Sequence, residues 1–264
     1  MSNHNGRQFA IVTGASSGIG LELARLCAQN GFDLLIAADQ PDIAQAQQEL
    51  RALGAAVEAL QVDLATLEGV DRLYSLAQGR PVDALLANAG HGLGRSFLEQ
   101  DFANIRHVID TNITGTVYLV QKVLRDMTAR NRGRILITGS IAGHMPGPFQ
   151  AVYHGSKAFV DSFAAALRNE LKETEITITC LQPGATDTEF FARADMLDTK
   201  VGQQEKDDPA DVAKAGFEAM MKGEGEVVSG WKNKVQVAMA GVMPTGNLAE
   251  MNRAQNEPGT AENA

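Results

Sequence analysis

Short aliphatic runs recur along the chain at similar intervals and predict the strands of a sheet. Seven such runs, the last of them weaker, cover residues 9–14, 33–39, 57–63, 82–88, 134–140, 176–184 and 226–230. Continuous apolar runs of this length are typical of strands that are buried on both faces. We therefore expect about seven strands in the interior of the protein.

The stretches between these runs have apolar residues at every third or fourth position, which is the spacing of amphipathic helices. Clear examples cover residues 20–31, 43–54, 65–79 and 157–173. Strands that alternate with helices need crossover connections, and these produce a parallel sheet covered on both faces. The pattern predicts an α/β protein with a single doubly wound domain over residues 1–244, in which helices flank a parallel sheet of about seven strands.

Two segments near the carboxyl end depart from this alternation. Residues 232–243 form an apolar helical segment, which is expected either to cap the mouth of a substrate pocket or to form a subunit contact. Residues 245–264 are polar and poor in aliphatic side chains, a composition that predicts a mobile tail.

Composition and charge exclude several classes of partner. The 264-residue chain has 23 basic and 32 acidic side chains and a net charge of −9, so its surface repels the phosphates of nucleic acids. The amino terminus has no basic and apolar secretory signal, and no apolar run is long enough to span a bilayer. We expect a cytoplasmic protein without nucleic-acid or membrane partners. Cys27 and Cys180 are interpreted as buried, reduced thiols, because their spacing suits neither a metal nor a disulfide framework.

A glycine-rich turn, TGASSGIG at residues 13–20, follows the first predicted strand and leads into a helix. In this context glycines let the backbone approach a pyrophosphate, whose charge is stabilised by free N–H groups at the start of the helix. A glycine cluster alone also occurs in ordinary tight turns. The candidate dinucleotide-binding residues in this turn are Gly14, Ser16, Ser17, Gly18, Ile19 and Gly20.

Polar or small residues follow the ends of five further predicted strands. In an open parallel sheet, ligands bind beyond the carboxyl ends of the strands. Each of these residues alone also suits a turn or a helix cap, but together they predict one binding edge. They are Asp39, Asp63, Asn88-Ala89-Gly90, Ser140 and Pro183-Gly184.

Tyr153 and Lys157 lie four residues apart in a predicted helix and therefore share one face of it. A free phenol has a pKa of about 10, and a neighbouring ammonium group lowers this pKa because it stabilises the phenolate. Tyr153 is thus a candidate acid/base. The same spacing also arises by chance on protein surfaces, but Ser140, at the end of the adjacent strand, adds a hydroxyl that can hold a substrate oxygen.

These motifs together resemble the short-chain dehydrogenase/reductase superfamily, from about Phe9 to Val228. The match consists of TGASSGIG at 13–20, Asp63-Leu64, NAG at 88–90, Asn112 in DTNITG, Ser140 in ITGSIAG, Tyr153 with Lys157, and PGATDT at 183–188, all in the family's order. The resemblance implies a Rossmann fold, a nicotinamide dinucleotide, and hydride transfer to or from a carbonyl or alcohol carbon. It implies no metal.

The resemblance also implies a role for each matched residue. Asn112 would hold a water in a proton relay, and Ser140 would orient the substrate carbonyl. Tyr153 would exchange the hydroxyl proton, while Lys157 would bind the nicotinamide ribose and lower the pKa of Tyr153. Besides the glycine-rich turn, the cofactor would contact Asp39, Asp63, Leu64, Asn88, Ala89, Gly90, Tyr153, Lys157, Pro183, Gly184 and Thr188.

The choice between NAD and NADP depends on the end of the second strand. The family's usual ribose-binding acid would fall on Ala38, and the acid present here, Asp39, lies one place later. A carboxylate repels a ribose 2′-phosphate, and no Arg or Lys lies between Ala37 and Gln40, which favours NAD. NADP is the alternative, because relatives with a small residue in place of the acid often take the phosphorylated cofactor.

Substrate specificity is expected in residues 91–96, in residues 144–150 and in a substrate loop of about residues 187–208, which has the composition of a mobile lid. The candidate substrate contacts are Ser140, His91, Leu93, Met145, Phe149, Tyr153 and Phe190. Their apolar members indicate a hydrophobic ketone or secondary alcohol, although such side chains also occur in cores. No catalytic role is assigned to His91, His144 or His154.

The sequence therefore predicts an NAD(P)-dependent oxidoreductase that acts on a small carbonyl or alcohol substrate and works as a homo-oligomer, a dimer or a tetramer. The first alternative is a non-catalytic redox sensor that binds a dinucleotide on the same fold. The intact set of Asn112, Ser140, Tyr153 and Lys157 argues against it. The second alternative, a nucleotide-sugar epimerase or dehydratase, would need a larger carboxyl-terminal domain.

Overall fold

Seven parallel strands form the centre of the computed structural model, which describes residues 6–263. They are β1 (Gln8–Thr13), β2 (Phe32–Ala38), β3 (Val57–Gln61), β4 (Ala84–Ala87), β5 (Gly133–Thr138), β6 (Ile176–Gln182) and β7 (Glu226–Val228). Within the sheet their order is β3-β2-β1-β4-β5-β6-β7. The chain therefore reverses its direction of winding between β1 and β4, which opens a crevice at that point. The predicted doubly wound α/β fold is confirmed.

Helices connect the strands and cover both faces of the sheet. They are α1 (Gly18–Gln29), α2 (Ile43–Ala52), α3 (Leu67–Ala77), α4 (Phe102–Ile109), α5 (Thr116–Arg130), α6 (Ala151–Glu170), α7 (Phe190–Arg193), α8 (Lys200–Gln203), α9 (Pro209–Lys222), α10 (Trp231–Ala240) and α11 (Thr245–Asn256). A π-helical turn, Asp110–Gly115, joins α4 to α5, and a 3₁₀ turn, Ile141–His144, follows β5.

The sheet separates two hydrophobic cores. Alternate residues of β2 contribute to opposite sides: Leu34 and Ile36 pack with α1, α2 and α9, whereas Leu35 and Ala37 pack with α3, α5 and α6. Because each strand is buried on both faces, its sequence is apolar without alternation. Cys27 lies in the first core and Cys180 in the second, and both thiols are buried as expected.

The carboxyl-terminal segment corrects one expectation. Residues 245–264 were expected to form a mobile tail, but Thr245–Asn256 is the helix α11, in which Leu248 is buried. Asn252 donates a hydrogen bond to the carbonyl of Pro146 (2.8 Å), and Asn256 donates one to Pro148 (3.3 Å). The polar side chains that suggest a mobile end thus attach the helix to the body of the protein. Residues 1–5 and 264 of the predicted ranges lie outside the described residues.

The predicted apolar segment, residues 232–243, largely coincides with α10. None of the ten residues of this helix, all of which are described, is buried. Its position over the carboxyl edge of the sheet fits the expected cap of the substrate mouth. We call α10 and α11 together the cap.

Candidate active site

A cavity of about 1030 Å³ lies at the carboxyl edge of the sheet, between the strand ends, α6, the substrate loop and the cap. Every candidate cofactor residue lines it: Gly14, Ser16, Ser17, Gly18, Ile19, Gly20, Asp39, Asp63, Leu64, Asn88, Ala89, Gly90, Tyr153, Lys157, Pro183, Gly184 and Thr188. Ser140 lines it as well, whereas Asn112 lies behind the wall. The topology of the sheet therefore brings residues from six strand ends into one cavity.

The glycine-rich turn has the geometry that close approach of a pyrophosphate requires. Gly14 and Gly18 have φ angles of +66° and +54°, in the left-handed region that favours glycine. A Cβ atom on Gly18 would lie 2.7 Å from Cγ2 of Thr188. Ser17, the N-cap of α1, makes no side-chain capping hydrogen bond in the described structure, so the amides of the first turn face the cavity without that partner. These features fit a phosphate group at the start of α1.

Asn88 holds three strand ends together below this turn. The hydroxyl of Thr13 accepts hydrogen bonds from the backbone N–H groups of Asn88 and Ala89, each with an N···O distance of 3.0 Å. The side-chain oxygen of Asn88 accepts a hydrogen bond from the hydroxyl of Thr138, also at 3.0 Å. The ends of β1, β4 and β5 are thereby fixed relative to one another, which gives the cavity a rigid floor.

Tyr153, Lys157 and Ser140 lie together at the middle of the cavity. Tyr153 and Lys157 project from the same face of α6, and Nζ of Lys157 is 5.9 Å from the centre of the phenol ring. Nζ donates a hydrogen bond to the carbonyl of Thr138 at 2.7 Å. The hydroxyl of Ser140 accepts the N–H of Ala142 at 3.1 Å, which fixes the serine at the end of β5.

The electrostatics of Tyr153 differ from the expectation. Burial raises the pKa of the phenol to about 12, although the neighbouring hydroxyl of Ser140 opposes this rise. Lys157 was expected to lower the pKa of Tyr153; its ammonium group lies 5.9 Å from the centre of the phenol ring and donates to the carbonyl of Thr138, and this role stays a prediction. Burial also lowers the pKa of Lys157, because a low-dielectric environment disfavours its charge. Among the neighbours of the phenol, the hydroxyl of Ser140 lowers the pKa of Tyr153, in the direction opposite to burial.

Asp161 was missed by the sequence analysis, although it lies one further turn along the same face of α6. The thiol of Cys180 donates a hydrogen bond to its Oδ1 at 3.3 Å. A Cβ atom on Gly139 or Gly143 would lie within 1.8 Å or 2.2 Å of its carboxylate, so the carboxylate fills the space left by both glycines. Its negative charge raises the pKa of Tyr153 and of Lys157. The i, i+4, i+8 spacing of Tyr153, Lys157 and Asp161 was the available signal.

Asn112 lies in the π-helical turn, and its side-chain amide is occupied by the protein. Oδ1 accepts the backbone N–H of His91 at 2.8 Å, while Nδ2 donates to the carbonyl of His91 and to Oγ of Ser156, each at 2.9 Å. The amide therefore positions the loop after β4 against α6. Its implied role of holding a water stays a prediction.

His91 lies at the cofactor end of the cavity and not among the apolar substrate candidates. Its Nε2 is 3.5 Å from Oδ2 of Asp39, and its ring lies 4.7 Å from that of His107. Burial lowers the pKa of His91, an effect that the charge of Asp39 opposes. The position of His91 beside Asp39 therefore favours a contact with the cofactor over a contact with the substrate.

The other substrate candidates divide into two groups. Phe190 and Met145 line the cavity, and the ring of Phe190 lies 5.0 Å from that of Tyr153. Leu93 and Phe149 are not among its lining residues, which corrects their expected placement. The glycines on either side of Leu93 make the contacts with the substrate loop, and Phe149, at a φ of +63°, packs under the guanidinium of Arg253.

The cap contributes polar side chains that sequence reasoning did not assign to the site. Those that line the cavity are Lys232, Asn233, Gln236, Asn252, Gln255 and Asn256. Asn233 donates hydrogen bonds to Asp207 (2.8 Å) and to the carbonyl of Ser229 (2.7 Å). The i, i+3 and i, i+4 spacing of Lys232, Asn233 and Gln236 on one face of α10 was the signal that could have identified them.

An arginine joins the substrate loop to the loop after β4. Arg95 forms a bidentate pair with Asp195, at 2.6 and 2.7 Å, and a further ion pair with Asp198 at 2.7 Å. The carbonyl of Asp198 also accepts the N–H of Ala261, beyond α11. The substrate loop is therefore attached both to the sheet side and to the carboxyl-terminal segment. Its expected motion as a lid stays a prediction.

Comparisons with known proteins agree with this site. A family model described as short chain dehydrogenase matches residues 8–197. An uncharacterized oxidoreductase from Myxococcus xanthus is 33% identical over 245 residues, which cover 89% of this chain and 92% of the relative.

Among residues 6–263, no helix is both long enough and apolar enough to cross a membrane.

Two solved structures have the same fold. A short-chain dehydrogenase from Sphingobium yanoikuyae in complex with NADPH matches with a TM-score of 0.77 and 29% identity, over 84% of this chain and 86% of that chain. A short-chain dehydrogenase/reductase from Burkholderia phymatum in complex with NAD matches with a TM-score of 0.81 and 24% identity, over 88% of this chain and 92% of that chain. The chain belongs to the short-chain dehydrogenase/reductase family of NAD(P)-dependent oxidoreductases, which act on hydroxyl and carbonyl groups.

Proposed function

We propose that the protein transfers a hydride between a nicotinamide cofactor and the carbonyl or alcohol carbon of a small hydrophobic ketone or secondary alcohol, with Tyr153 as the acid/base. The observation that carries this proposal is that the hydroxyl groups of Tyr153 and Ser140 both line the middle of the cavity, where Ser140 is close enough to lower the pKa of the phenol. Phe190, 5.0 Å from the phenol ring, supplies an apolar wall beside the two hydroxyl groups. Two hydroxyls next to an apolar wall suit a carbonyl group carried on a hydrocarbon.

Ser140 and Tyr153 act on the substrate oxygen. Ser140 is held at the end of β5, where its hydroxyl donates a hydrogen bond to the carbonyl of Pro183 at 3.3 Å. With substrate bound, this hydroxyl would donate to the substrate oxygen instead, which orients the carbonyl and stabilises the charge that develops on its oxygen. Tyr153 donates its proton to that oxygen during reduction and accepts the hydroxyl proton during oxidation. Asn112 and Ser156 keep α6 in register with the loop after β4, so that Tyr153 stays beside Ser140.

Lys157 and the strand-end residues hold the cofactor. The ammonium group has three donors, of which one is bonded to the carbonyl of Thr138, and it lines the cavity, where the others can bind ribose hydroxyls. The first turn of α1 would hold the pyrophosphate, and Asn88 keeps the floor of the site in shape. A bound nicotinamide supplies or accepts the hydride.

The pKa of Tyr153 favours the reductive direction at neutral pH. A phenol with a pKa of about 12 is protonated at neutral pH and is ready to donate. Oxidation requires the phenolate, whose fraction grows as the pH rises towards that pKa. We therefore expect ketone reduction to be fastest below the pKa of Tyr153 and alcohol oxidation to increase with pH.

NAD is the proposed cofactor, with NADP as the alternative. The carboxylate of Asp39 lines the cavity at the end of β2, where it suits ribose hydroxyls and repels a 2′-phosphate. Replacing Asp39 by Asn removes the charge and keeps the shape. The ratio of kcat/KM for NADH to that for NADPH is expected to fall about tenfold in Asp39→Asn, the size of one lost charge interaction near the surface. An unchanged ratio would contradict this role of Asp39.

The test of the proposed function is a substrate screen. Ketones are supplied with NADH or NADPH and secondary alcohols with NAD⁺ or NADP⁺, and turnover is followed by the absorbance of the reduced nicotinamide. We expect reduction of at least the hydrophobic ketones. Binding of the cofactor without turnover of any compound in the panel would instead support a non-catalytic dinucleotide-binding protein.

A further inference from the structure

A second, smaller cavity of about 190 Å³ adjoins the active-site cavity under the cap. We call it the methionine cavity, since four of its wall residues are methionines. It is lined by Met145, Lys232, Val235, Gln236, Met239, Met243, Leu248, Met251 and Asn252. Among these lining residues there is no carboxylate, and the single charged group is the ammonium of Lys232. The wall is therefore suited to an apolar ligand.

The two cavities share a wall close to the reacting groups. Met145, Lys232, Gln236, Met251 and Asn252 line both cavities. The side-chain amide of Gln236 contacts Sδ of Met145 at 3.7 Å. The carbonyl of Met145 is bonded to the ring of His154, the neighbour of Tyr153, at 2.9 Å. The ring centre of His154 is 6.0 Å from that of Tyr153, so the shared wall at Met145 lies close to the phenol.

The volume of the methionine cavity and the flexibility of its side chains limit which ligands it can bind. An apolar cavity of about 150 Å³ holds one benzene molecule, so a volume of about 190 Å³ has room for roughly six to eight carbon atoms. Methionine side chains are flexible and adapt to ligands of different shape. Val235 and Met239 are 50% and 43% exposed, and an apolar occupant would remove part of that surface from water.

We propose that the methionine cavity binds the unbranched alkyl or acyl arm of the carbonyl substrate, with the carbonyl group at Ser140 and Tyr153. This inference rests on the proposed function, whose substrate class it narrows to carbonyl compounds with a linear chain, of which up to about six to eight terminal carbons fit in the methionine cavity. Short or strongly branched ketones occupy only the active-site cavity. The cap, and α10 in particular, is then the element that selects the length of the substrate.

The experiment is a chain-length series of methyl ketones, from butanone to dodecan-2-one. In the wild-type protein kcat/KM is expected to rise by up to about fourfold for each added methylene, the upper value for complete burial, and then to level off. In Met239→Trp, which fills the methionine cavity, this rise per methylene is expected to disappear. Val242→Trp is the matched control: Val242 is 86% exposed, lies just beyond α10 and does not line the methionine cavity, so the rise is expected to persist.

Direct binding is measured in parallel by titration calorimetry of butanone and nonan-2-one, so that the cavity is tested even where turnover is not observed. Nonan-2-one is expected to bind the wild-type protein more tightly than butanone does, and Met239→Trp is expected to remove that difference. Val235→Trp is a second filling variant for the case that Met239→Trp does not fold. Failure of turnover with intact chain-length dependence of binding would count against the proposed function alone.

Two results would overturn the inference. One is the same dependence on chain length in Met239→Trp and in Val242→Trp, both in binding and in kcat/KM. The other is a change of oligomeric state in Met239→Trp, measured by sedimentation, without a change in that dependence. The second result would show that the methionine cavity is covered by another copy of the chain.

Discussion

The glycine-rich edge of the sheet and the cap are held in place by different kinds of contact. Helix α1, behind the glycine-rich turn, has five buried residues, and Leu23, Ala24 and Cys27 are completely enclosed. In contrast, none of the described residues of α10 is buried, and α11 buries only Leu248 and Asn256. The cap is attached mainly by side-chain hydrogen bonds from asparagines.

From this difference we assign catalysis to the glycine-rich edge of the sheet and substrate selection to the cap. Elements with many buried contacts open only when the whole domain unfolds, whereas elements held by few such contacts open locally at low cost. The edge that we propose to hold the cofactor and the reacting groups is therefore rigid. Substitutions in the cap, or shifts in its position, do not require the domain to unfold. We therefore expect the cap to determine which substrates the active site accepts.

Between the edge and the cap, the largest effect on cofactor binding is expected from a change at the rigid edge. Gly18 has a positive φ and lies against Thr188, so valine there introduces both backbone strain and a clash. Gly18→Val is expected to weaken the binding of NAD⁺ by at least about a hundredfold, since loss of several phosphate contacts costs two or more tenfold steps in affinity. Titration calorimetry measures this directly.

The matched control for Gly18→Val lies in the cap. At Gly246, in α11, no described heavy atom outside the local helix backbone and the two neighbouring residues lies within 4 Å of the position of an added Cβ. Gly246→Ala is expected to leave NAD⁺ affinity unchanged and to stabilise the helix slightly. Equal losses of affinity in the two variants would show that the proposed division between edge and cap is wrong.

A tenfold effect is expected from the buried charge behind the active site. Because the carboxylate of Asp161 raises the pKa of Tyr153, Asp161→Asn lowers that pKa and increases the phenolate fraction at any pH below it. In the pH range where the rate of alcohol oxidation rises with pH, this rate is expected to increase by up to about tenfold. That increase is equivalent to a shift of the pH profile by about one unit to lower pH. The measurement is kcat/KM for oxidation as a function of pH.

The control for Asp161→Asn is Asp126→Asn, in which the carboxylate accepts a hydrogen bond from Tyr74 and does not line the cavity. Its pH profile is expected to match that of the wild-type protein. A rising limb that stays in place, or moves to higher pH, in Asp161→Asn would exclude an electrostatic influence of Asp161 on Tyr153.

The smallest effect is expected where the substrate loop is attached. Arg95→Ala removes the ion pairs to Asp195 and Asp198, which are partly exposed and individually weak. KM for a ketone is expected to rise about two- to fivefold, with a smaller change in kcat, because closure of the loop becomes less favourable. Arg106→Ala, which removes the exposed pair to Asp110, is expected to change neither. Equal values of KM in the wild-type protein and in Arg95→Ala would show that these pairs do not hold the loop closed.

The sheet and the cofactor edge were predictable from the sequence because their signals are local. A strand buried on both faces must be apolar throughout, and the carboxyl ends of parallel strands must meet at one edge. Asp39, Asn88 and Ser140 therefore share the cavity, although they are far apart in the chain. No knowledge of side-chain contacts was needed to place them there.

The cap and the electrostatics were not predictable in the same way. Residues 245–256 are polar because Asn252 and Asn256 bind backbone carbonyls of another segment, and a sequence pattern does not distinguish such residues from those of a mobile tail. The direction in which Phe149 points follows from its positive φ, which no periodicity reveals. The pKa of Tyr153 depends on burial and on its neighbours Ser140 and Asp161, and these are properties of the packed structure.

The most direct measurement is the turnover of Tyr153→Phe together with its affinity for the cofactor. Loss of the phenol oxygen removes the proton donor but leaves the glycine-rich turn, Asn88 and Lys157 in place. We predict that kcat for ketone reduction falls by about a thousandfold, within the range for loss of a general acid, while the Kd for NADH changes by less than about threefold. Turnover close to that of the wild-type protein would contradict the assignment of Tyr153 as the acid/base.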